Sequence, residues 1–542
     1  MERTSLFLLI NVVLFIVPYR GVYADLPIHA LVSDIAGKWT FSISYNVYGA
    51  DIACGSDTPN SIGRVLSFGD YKTFIEKQHG ISRQVTLDLT LETVKLPHDY
   101  DAKHRNDWVY LAVKSDNERV IGTWTAIYDQ GFYITLDDGL EIFSYVSFSP
   151  VGEHKYLTNP NQTQIGWVTR REGGNITHAC ASGSRVHKKE SVATVNVDES
   201  TSTKYGKTIQ RTSDVSRLDG NLVLKTLKEN GGYFCRCTSK GPSTHDLPRA
   251  FSWDRYENIP LVNQKRCGGC YTISALYTLQ VRFIIQVSKL LKSGKAGHRE
   301  HALKQLLADL KRGYFDINDA LSCIYLNQGC HGGYPYLVGK HAKEYGLHFV
   351  QVDGDYTRYE SEKDRLETIF RIVDNQTCDN VNSNKLFYAH SYGYVGGSYQ
   401  CTKCSGEALM MQEIYENGPI VVGIDGSFLN GRHTTGIIDF TDEDAKKRFG
   451  LCDVDGHPAL SGWEYTTHAV AVIGWGEEVS EHSVKKYWII RNSWGKDWGD
   501  GGFFKLVRGE NAFGVESEGV FIDPDLDRAT DAVTDASIRH HK

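Results

Sequence analysis

The stretch Asn263–Tyr271, N-Q-K-R-C-G-G-C-Y, constrains this chain more than any other, because it dictates a backbone and a chemistry together. Two cysteines stand three residues apart, Gln264 precedes the second by six, and a helical pattern starts at Cys270. A cysteine in the first turn of a helix sits at the positive end of the helix dipole, which favours thiolate over thiol. The adjacent glycines let backbone amides approach a substrate carbonyl closely. Cys270 is therefore a candidate nucleophile. A C-x-x-C pair also suits a metal site, a redox couple or a structural disulfide. A second such pair, Cys401 and Cys404, keeps a four-cysteine zinc site open at this point.

With 542 residues the chain has room for three or more domains. A formal charge of -7 argues against nucleic acid as the main partner. The 52 glycines and 30 tyrosines, against three methionines, suggest many strands and turns. Leu6 to Val17 is an apolar run too short to span a membrane; it follows Arg3 and precedes Val22-Tyr23-Ala24. Residues 1–24 thus read as a signal peptide, with Asp25 as the first mature residue. No later stretch is long and apolar enough for a membrane helix. Twelve cysteines in a secreted chain predict disulfides. A free Cys270 leaves an odd number, so at least one more is unpaired or pairs outside the chain. N-x-T sequons at Asn161, Asn175 and Asn375 predict surface loops in a host that glycosylates.

Along the chain, 25–185 reads as mostly β. Trp39, Phe41, Ile43 and Tyr45 alternate with polar residues, and Trp124–Phe148 is a longer alternating run with a turn signal at Asp137-Asp138-Gly139. A closed antiparallel barrel removes exposed sheet edges and is the natural reading, with Cys54 and Cys180 near its two ends. Residues 186–246 are rich in Ser, Thr, Lys and Asp, include Cys235 and Cys237, and read as a linker or removable segment. From 247 the pattern is globular again. A helix from Cys270 to about Leu291 is followed by a basic loop and a second helix carrying Leu303, Leu306, Leu307 and Leu310 on one face. After a short helix at Glu407–Glu416 come strands at Thr467–Trp475, Lys486–Trp494 and Gly502–Val507. Helices first and strands later indicate an α+β domain. The polar end, 523–542, reads as a disordered tail.

A cysteine nucleophile needs a base, a group that orients the base, and donors for the oxyanion. Thr467-His468-Ala469-Val470 opens one apolar strand and Asn492-Ser493-Trp494-Gly495 closes the next. Period-2 alternation puts His468 on the face of Val470 and Val472, and Asn492 on the face of Trp488 and Ile490. Neighbouring strands then bring His468 and Asn492 together, with Trp494 positioned to cover their bond.

N-Q-x-x-C-G-G-C-Y, G-C-H-G-G at Gly329–Gly333, T-H-A-V, and R-N-S-W-G-x-x-W-G at Arg491–Gly499 appear in this order, and the set resembles the papain-like cysteine peptidases. The resemblance implies Cys270 as nucleophile, His468 as its general acid/base, and Asn492 as the group that orients His468. It implies an oxyanion hole from Gln264 and the Cys270 backbone N–H. Gly332 and Gly333 would hold the substrate backbone beside Trp494. It also implies disulfides Cys267–Cys330 and Cys323–Cys378, which sets the zinc reading aside and leaves Cys401, Cys404 and Cys452 unassigned.

Tyr271 in place of the commoner Trp, Tyr334-Pro335-Tyr336 and Tyr394-Val395-Gly396-Gly397 are similar to one branch of that family. That branch carries an N-terminal exclusion domain across its cleft. Gly37-Lys38-Trp39, Tyr128-Asp129-Gln130-Gly131-Phe132 and Ile165-Gly166-Trp167 resemble that domain, and Cys54–Cys180 matches one of its disulfides. The resemblance implies removal of dipeptides from free N-termini. The Asp25 carboxylate would pair with the substrate amine, and a chloride ion would sit near Tyr336 and Tyr394 with Tyr334 beside them.

The fold expected is therefore α+β. A two-lobed papain-like peptidase domain, helical lobe plus β-barrel-like lobe, occupies 247–522. It follows an antiparallel β-barrel exclusion domain at 25–185 and a propeptide or linker at 186–246. The enzyme expected is a zymogen of an acidic vacuole, a lysosome or the extracellular space, acting on peptides and proteins, with no membrane span, organic cofactor or catalytic metal. Its oligomeric state stays open. Two rivals stand: an endopeptidase whose β domain does something else, and a catalytically silent binding protein, against which the intact Cys270, His468, Asn492 and Gln264 argue. Three features depart from the family. Gly269 replaces a usual serine, and Cys452 has no counterpart. His468 stands about 200 residues after Cys270, beyond the roughly 130–150 common for such enzymes, an excess assigned mainly to a surface insertion at Lys292–Arg312.

Overall fold

The computed structural model describes residues 28, 30–55, 68–97, 100–152, 155–172, 175–189, 192–195, 208–210, 246–253, 259–351, 385–399, 406–429, 436–439 and 466–529. Asp25, Asn375, Cys235, Cys237, Cys378, Cys401, Cys404 and Cys452 lie outside them, as do most of 186–246 and all of 1–24.

The N-terminal region is a closed antiparallel barrel. Its strands are β1 (Gly37–Ser44), β2 (Ile81–Val94), β3 (Tyr110–Lys114), β4 (Val120–Ile127), β5 (Gly131–Leu136), β6 (Leu140–Gly152), β7 (Lys155–Glu172) and β8 (Asn175–Arg185). Each pairs with the next, β8 pairs with both β7 and β1, and the ring closes. Alternation works as expected in β1, where Trp39, Phe41 and Ile43 are buried, whereas Tyr45 falls past the strand end and is exposed. The β5–β6 turn at Asp137-Asp138-Gly139 places Gly139 at φ +82°, in the left-handed region. Cys54 and Cys180 are bonded, tying the loop after β1 to β8. Strands 192–195 and 208–210, within the segment read as a linker, extend the sheet from β7.

The rest of the described chain is α+β and has two lobes. Cys270–Lys292 is the central helix, buried along most of its length, and the helices Glu300–Leu310 and Pro335–Glu344 pack on it. The other lobe is a sheet ordered 389–394, 519–524, 420–424, 468–479, 484–491, 503–507, 437–438, with 251–252 added beside 468–479. Its core is a cluster of Met410, Ile414, Ile420, Val470, Val472, Trp475, Trp488, Ile490 and neighbours.

Three sequence expectations are corrected. Lys292–Arg312 is not merely a surface insertion: Leu303, Leu306 and Leu310 are fully buried in the main core, because an amphipathic helix needs a surface to cover. Residues 523–529 are not a disordered tail: Gly519–Pro524 is a strand, and Asp523 is buried among arginines. Asn161 is not in an exposed loop. It lies buried in β7, with its amide nitrogen donating to Asn159 Oδ1 and to the Lys189 carbonyl at 2.7 Å, so no glycan-accessible nitrogen remains. Asn175, at the start of β8, is exposed.

A charged seam locks barrel to peptidase. Arg105, from the barrel, donates to Glu413 Oε1 at 2.7 Å and to Asp523 Oδ2 at 2.6 Å, while Arg282 of the central helix donates to Asp523 Oδ1 at 2.7 Å and pairs with Glu413 at 2.9 Å. A second seam has Lys340 Nζ donating to Glu141 of β6 and to Glu344, both at 2.6 Å. Buried charges persist when each has an opposite partner in hydrogen-bond contact, as these do.

Candidate active site

Gly269 ends the loop and Cys270 opens the central helix, so the thiol lies in the first helical turn. Among the described residues Cys270 is the free cysteine, and it is buried. His468 is the first residue of its strand, and its Nε2 is hydrogen-bonded to Asn492 Oδ1 at 2.8 Å. Asn492 Oδ1 also accepts from the Ser493 backbone N–H at 2.8 Å, which fixes the amide with its oxygen toward the imidazole. The other ring nitrogen is left for Cys270, and a Cys270–His468 hydrogen bond is present. The Trp494 ring stacks on His468 at 5.0 Å between centroids and shields the His468–Asn492 bond from water.

Burial pushes the Cys270 thiol up, but the hydrogen bond and charge of His468 outweigh it and hold the thiol below its usual value. Burial lowers His468, and the bonds from Cys270 and Asn492 overcome that and raise it. The two shifts are one event: each ion stabilises the other.

Gln264 is held from three directions. Its backbone N–H donates to the Ser493 carbonyl at 2.8 Å. Its Nε2 donates to the Cys267 carbonyl at 2.9 Å. Its Oε1 accepts from the Ser493 hydroxyl. An amide nitrogen has two protons, and one stays available for an oxyanion. Ser493 was not singled out from the sequence, although it stands inside the N-S-W-G motif.

The Cys267–Cys330 disulfide and a 2.7 Å bond from Gly268 N–H to the Cys330 carbonyl join this loop to the 329–333 loop. Gly332 has φ +112°, and a Cβ on Gly333 would come within 2.6 Å of Asn327 Oδ1. Only glycine fits at both places. Cys323 is also disulfide-bonded; its expected partner Cys378 lies outside the described residues. Tyr336 and Tyr394 come together as expected, stacked at 4.9 Å. Tyr334 is engaged elsewhere: its hydroxyl donates to Gln130 of the barrel.

That contact belongs to a hairpin that the sequence marked only as a motif of the barrel, without its contacts. The β4–β5 turn, Tyr128-Asp129-Gln130, reaches both walls beside the site. The Tyr128 hydroxyl donates to the Thr466 carbonyl at 2.7 Å, two residues before His468, and Gln130 holds Tyr334, next to Gly333. Among the described residues no group of three or more His, Cys, Asp or Glu is placed to hold a metal ion, and no helix is long and apolar enough to cross a membrane.

Two family models match the two parts of this chain, and one of them is that of the papain-like cysteine peptidases. The papain family cysteine protease model matches residues 314–522, and the cathepsin C exclusion domain model matches 25–185. The first match starts after Gln264 and Cys270, so their roles rest on the geometry above. Two relatives align over nearly the whole chain. Dipeptidyl aminopeptidase 1 of Plasmodium falciparum (isolate 3D7) is 26% identical, over 96% of this chain and 96% of its own. Cathepsin C of Schistosoma mansoni is 24% identical, over 94% of this chain and 97% of its own. Among solved structures, bromelain from Ananas comosus in complex with the E64 inhibitor is 19% identical, with a TM-score of 0.32, over 52% of this chain and all of that one.

Proposed function

We propose that this protein is a dipeptidyl aminopeptidase, cutting after the second residue of peptides and proteins with a free N-terminus. The observation that carries this reading is the Tyr128–Gln130 turn, bonded to Thr466 on one wall and Tyr334 on the other. A barrel planted there supports a cleft closed to longer chains beyond the substrate's N-terminal residue. The two full-length relatives named for cathepsin C and dipeptidyl aminopeptidase support the same reading.

In the mechanism, the Cys270 thiolate attacks the carbonyl carbon of the second residue. A C–S bond forms and the carbonyl electrons move to oxygen. The oxyanion takes hydrogen bonds from the Cys270 backbone N–H and the remaining Gln264 N–H. It collapses, the C–N bond breaks, and His468 gives its proton to the leaving amine. Neutral His468 then takes a proton from water, whose oxygen attacks the thioester and expels the thiolate.

Asp25 is assigned the substrate amine, and passage through the secretory pathway is supported by the Cys54–Cys180 and Cys267–Cys330 disulfides. For chloride, among the described residues the buried Tyr394 hydroxyl has no acceptor for its proton, which suits an anion; Tyr336 and Tyr394 would hold it, whereas Tyr334 is already engaged. Chloride would fill and polarise the pocket without entering the bond-making steps.

The test is one peptide offered free and N-acetylated to the mature enzyme, with Cys270→Ser as the blank. Release of dipeptides from the free form alone is expected. Equal cleavage of both forms sinks the exopeptidase reading.

A further inference from the structure

Glu518 enters neither the catalytic steps nor the seams between domains. It precedes the 519–524 strand and is 7% exposed. Among the described residues its carboxylate has no hydrogen-bond or ion-pair partner, unlike Glu413, Glu344, Glu141 and Glu516, which are all bonded. A buried carboxylate without a partner costs stability and marks a place where a partner is to arrive.

Its surroundings say where that place is. A Cβ on Gly423 would lie 3.1 Å from Glu518 Oε2 and 3.1 Å from Thr466 Oγ1, so the missing side chain at Gly423 makes room for the carboxylate. Gly423 is the register partner of Ala469, whose backbone contacts the Cys270 sulfur. Thr466 takes the Tyr128 hydroxyl of the hairpin. Tyr394 feels the Glu518 charge and stacks on Tyr336. Through Gly423 and Ala469 the carboxylate stands two residues removed from the nucleophile, on the side that the barrel hairpin reaches. On the proposed function, that side holds the N-terminal residue of the substrate. Among the described residues no cation answers Glu518: the 420–424 strand presents no titratable group to it, and the 389–394 strand presents Tyr394.

We propose that Glu518 determines specificity, and that the pocket selects a substrate whose N-terminal residue is lysine or arginine. This rests on the dipeptidyl reading and deepens it. The side-chain cation supplies the missing ion-pair partner. Burial pushes the Glu518 carboxyl up to about 7, so the selecting charge grows as pH rises through neutrality.

The test compares two fluorogenic dipeptide amides, Lys-Phe and norleucine-Phe, on the mature enzyme. Both carry the same α-amine and nearly the same carbon chain, so their ratio isolates the side-chain charge. A kcat/KM ratio of about tenfold in favour of lysine at pH 7.5 is expected, falling below pH 6, with E518Q cutting it at least tenfold. The pH course of the wild-type ratio needs no variant, so it decides even where E518Q does not fold. Hydrolysis of norleucine-Phe with no lysine preference, or a ratio that E518Q leaves alone, overturns the specificity role and spares the peptidase reading. Hydrolysis of neither free dipeptide, with N-blocked peptides cleaved internally, overturns both.

Discussion

At the scale of residues the site is a chain of fixed acceptors. Ser493 illustrates it: one hydroxyl orients the Gln264 amide, while its backbone N–H orients Asn492. Ser493→Ala leaves Gln264 in place but removes the bond to its Oε1, so the amide is held only through Nε2 to the Cys267 carbonyl. We expect kcat to fall roughly tenfold with KM little changed, less than the 10²–10³ that loss of an oxyanion donor itself costs. An equal loss carried by KM instead would assign Ser493 to substrate binding. The ion pair sets the pH profile. The Cys270 thiol is lowered and His468 raised, so the active pair exists between the two values. The acid limb is protonation of the sulfur and the alkaline limb is loss of the imidazolium proton. Asn492 is one of the groups that raise His468. Asn492→Ala should move the alkaline limb of kcat/KM to lower pH and cut kcat about 100-fold through misorientation. An alkaline limb that stays put would show that Cys270 alone sets it. Cys270, His468, Asn492 and Gln264 were legible from the sequence because the chemistry they suit needs particular types in a particular order, whereas Ser493, inside the same motif as Asn492, was not singled out. Glu518 was not: one carboxylate before a strand looks like any other until its surroundings are found to lack a cation.

At the scale of elements, what escaped the sequence is what depends on distant partners. Asp523 opens the stretch read as a tail, and nothing nearby shows that Arg105 and Arg282 converge on it. Hydrophobic period identified the Glu300–Leu310 helix and marked its leucines as core or docking surface, but not that the surface they cover is the central helix. Asn161 matched a sequon that needs an exposed loop, and only the β7 pairing buried it. The strand carrying Asp523 makes a direct prediction. Truncation after Ile522 removes this carboxylate and leaves Arg105 and Arg282 to share Glu413, at a cost of about 3–5 kcal/mol. Truncation after Ala529 removes none of the described contacts. Thermal melts of the two should differ sharply, and equal melting temperatures would remove Asp523 from the seam. The seam also bears on acidity. Burial raises Glu413 and Asp523, but the two arginines outweigh it and hold both below the ordinary carboxylate range. Their contribution is present above the unfolded values near 4 and is lost only as pH falls through the lower folded ones. The domains should thus stay docked in an acidic vacuole, and Arg105→Ala should lose stability at pH 5 as well as at pH 7.

At the scale of the molecule, it is the meeting of barrel and peptidase that defines the activity. The catalytic pair by itself would cut wherever a chain could be laid along the cleft. The barrel removes that freedom with a turn whose tip makes contacts on both walls: Tyr128 to Thr466 and Gln130 to Tyr334. The charged seams hold the barrel as a body, so weakening the tip alone tests the barrier without undocking it. In a double variant, Tyr128→Phe with Gln130→Ala, both tip bonds are gone. At about 1 kcal/mol each, they shift the balance between a closed and an open cleft by up to about 30-fold. Cleavage of an N-acetylated peptide should rise toward that limit relative to release of dipeptides from the free form, with the melting temperature held by Arg105 and Lys340. If blocked peptides remain uncut while free ones are processed as before, the barrier lies deeper in the barrel than its tip. If both forms are lost together, the tip serves to hold Thr466 and Tyr334 in catalytic position, and the exclusion of longer chains must be sought elsewhere.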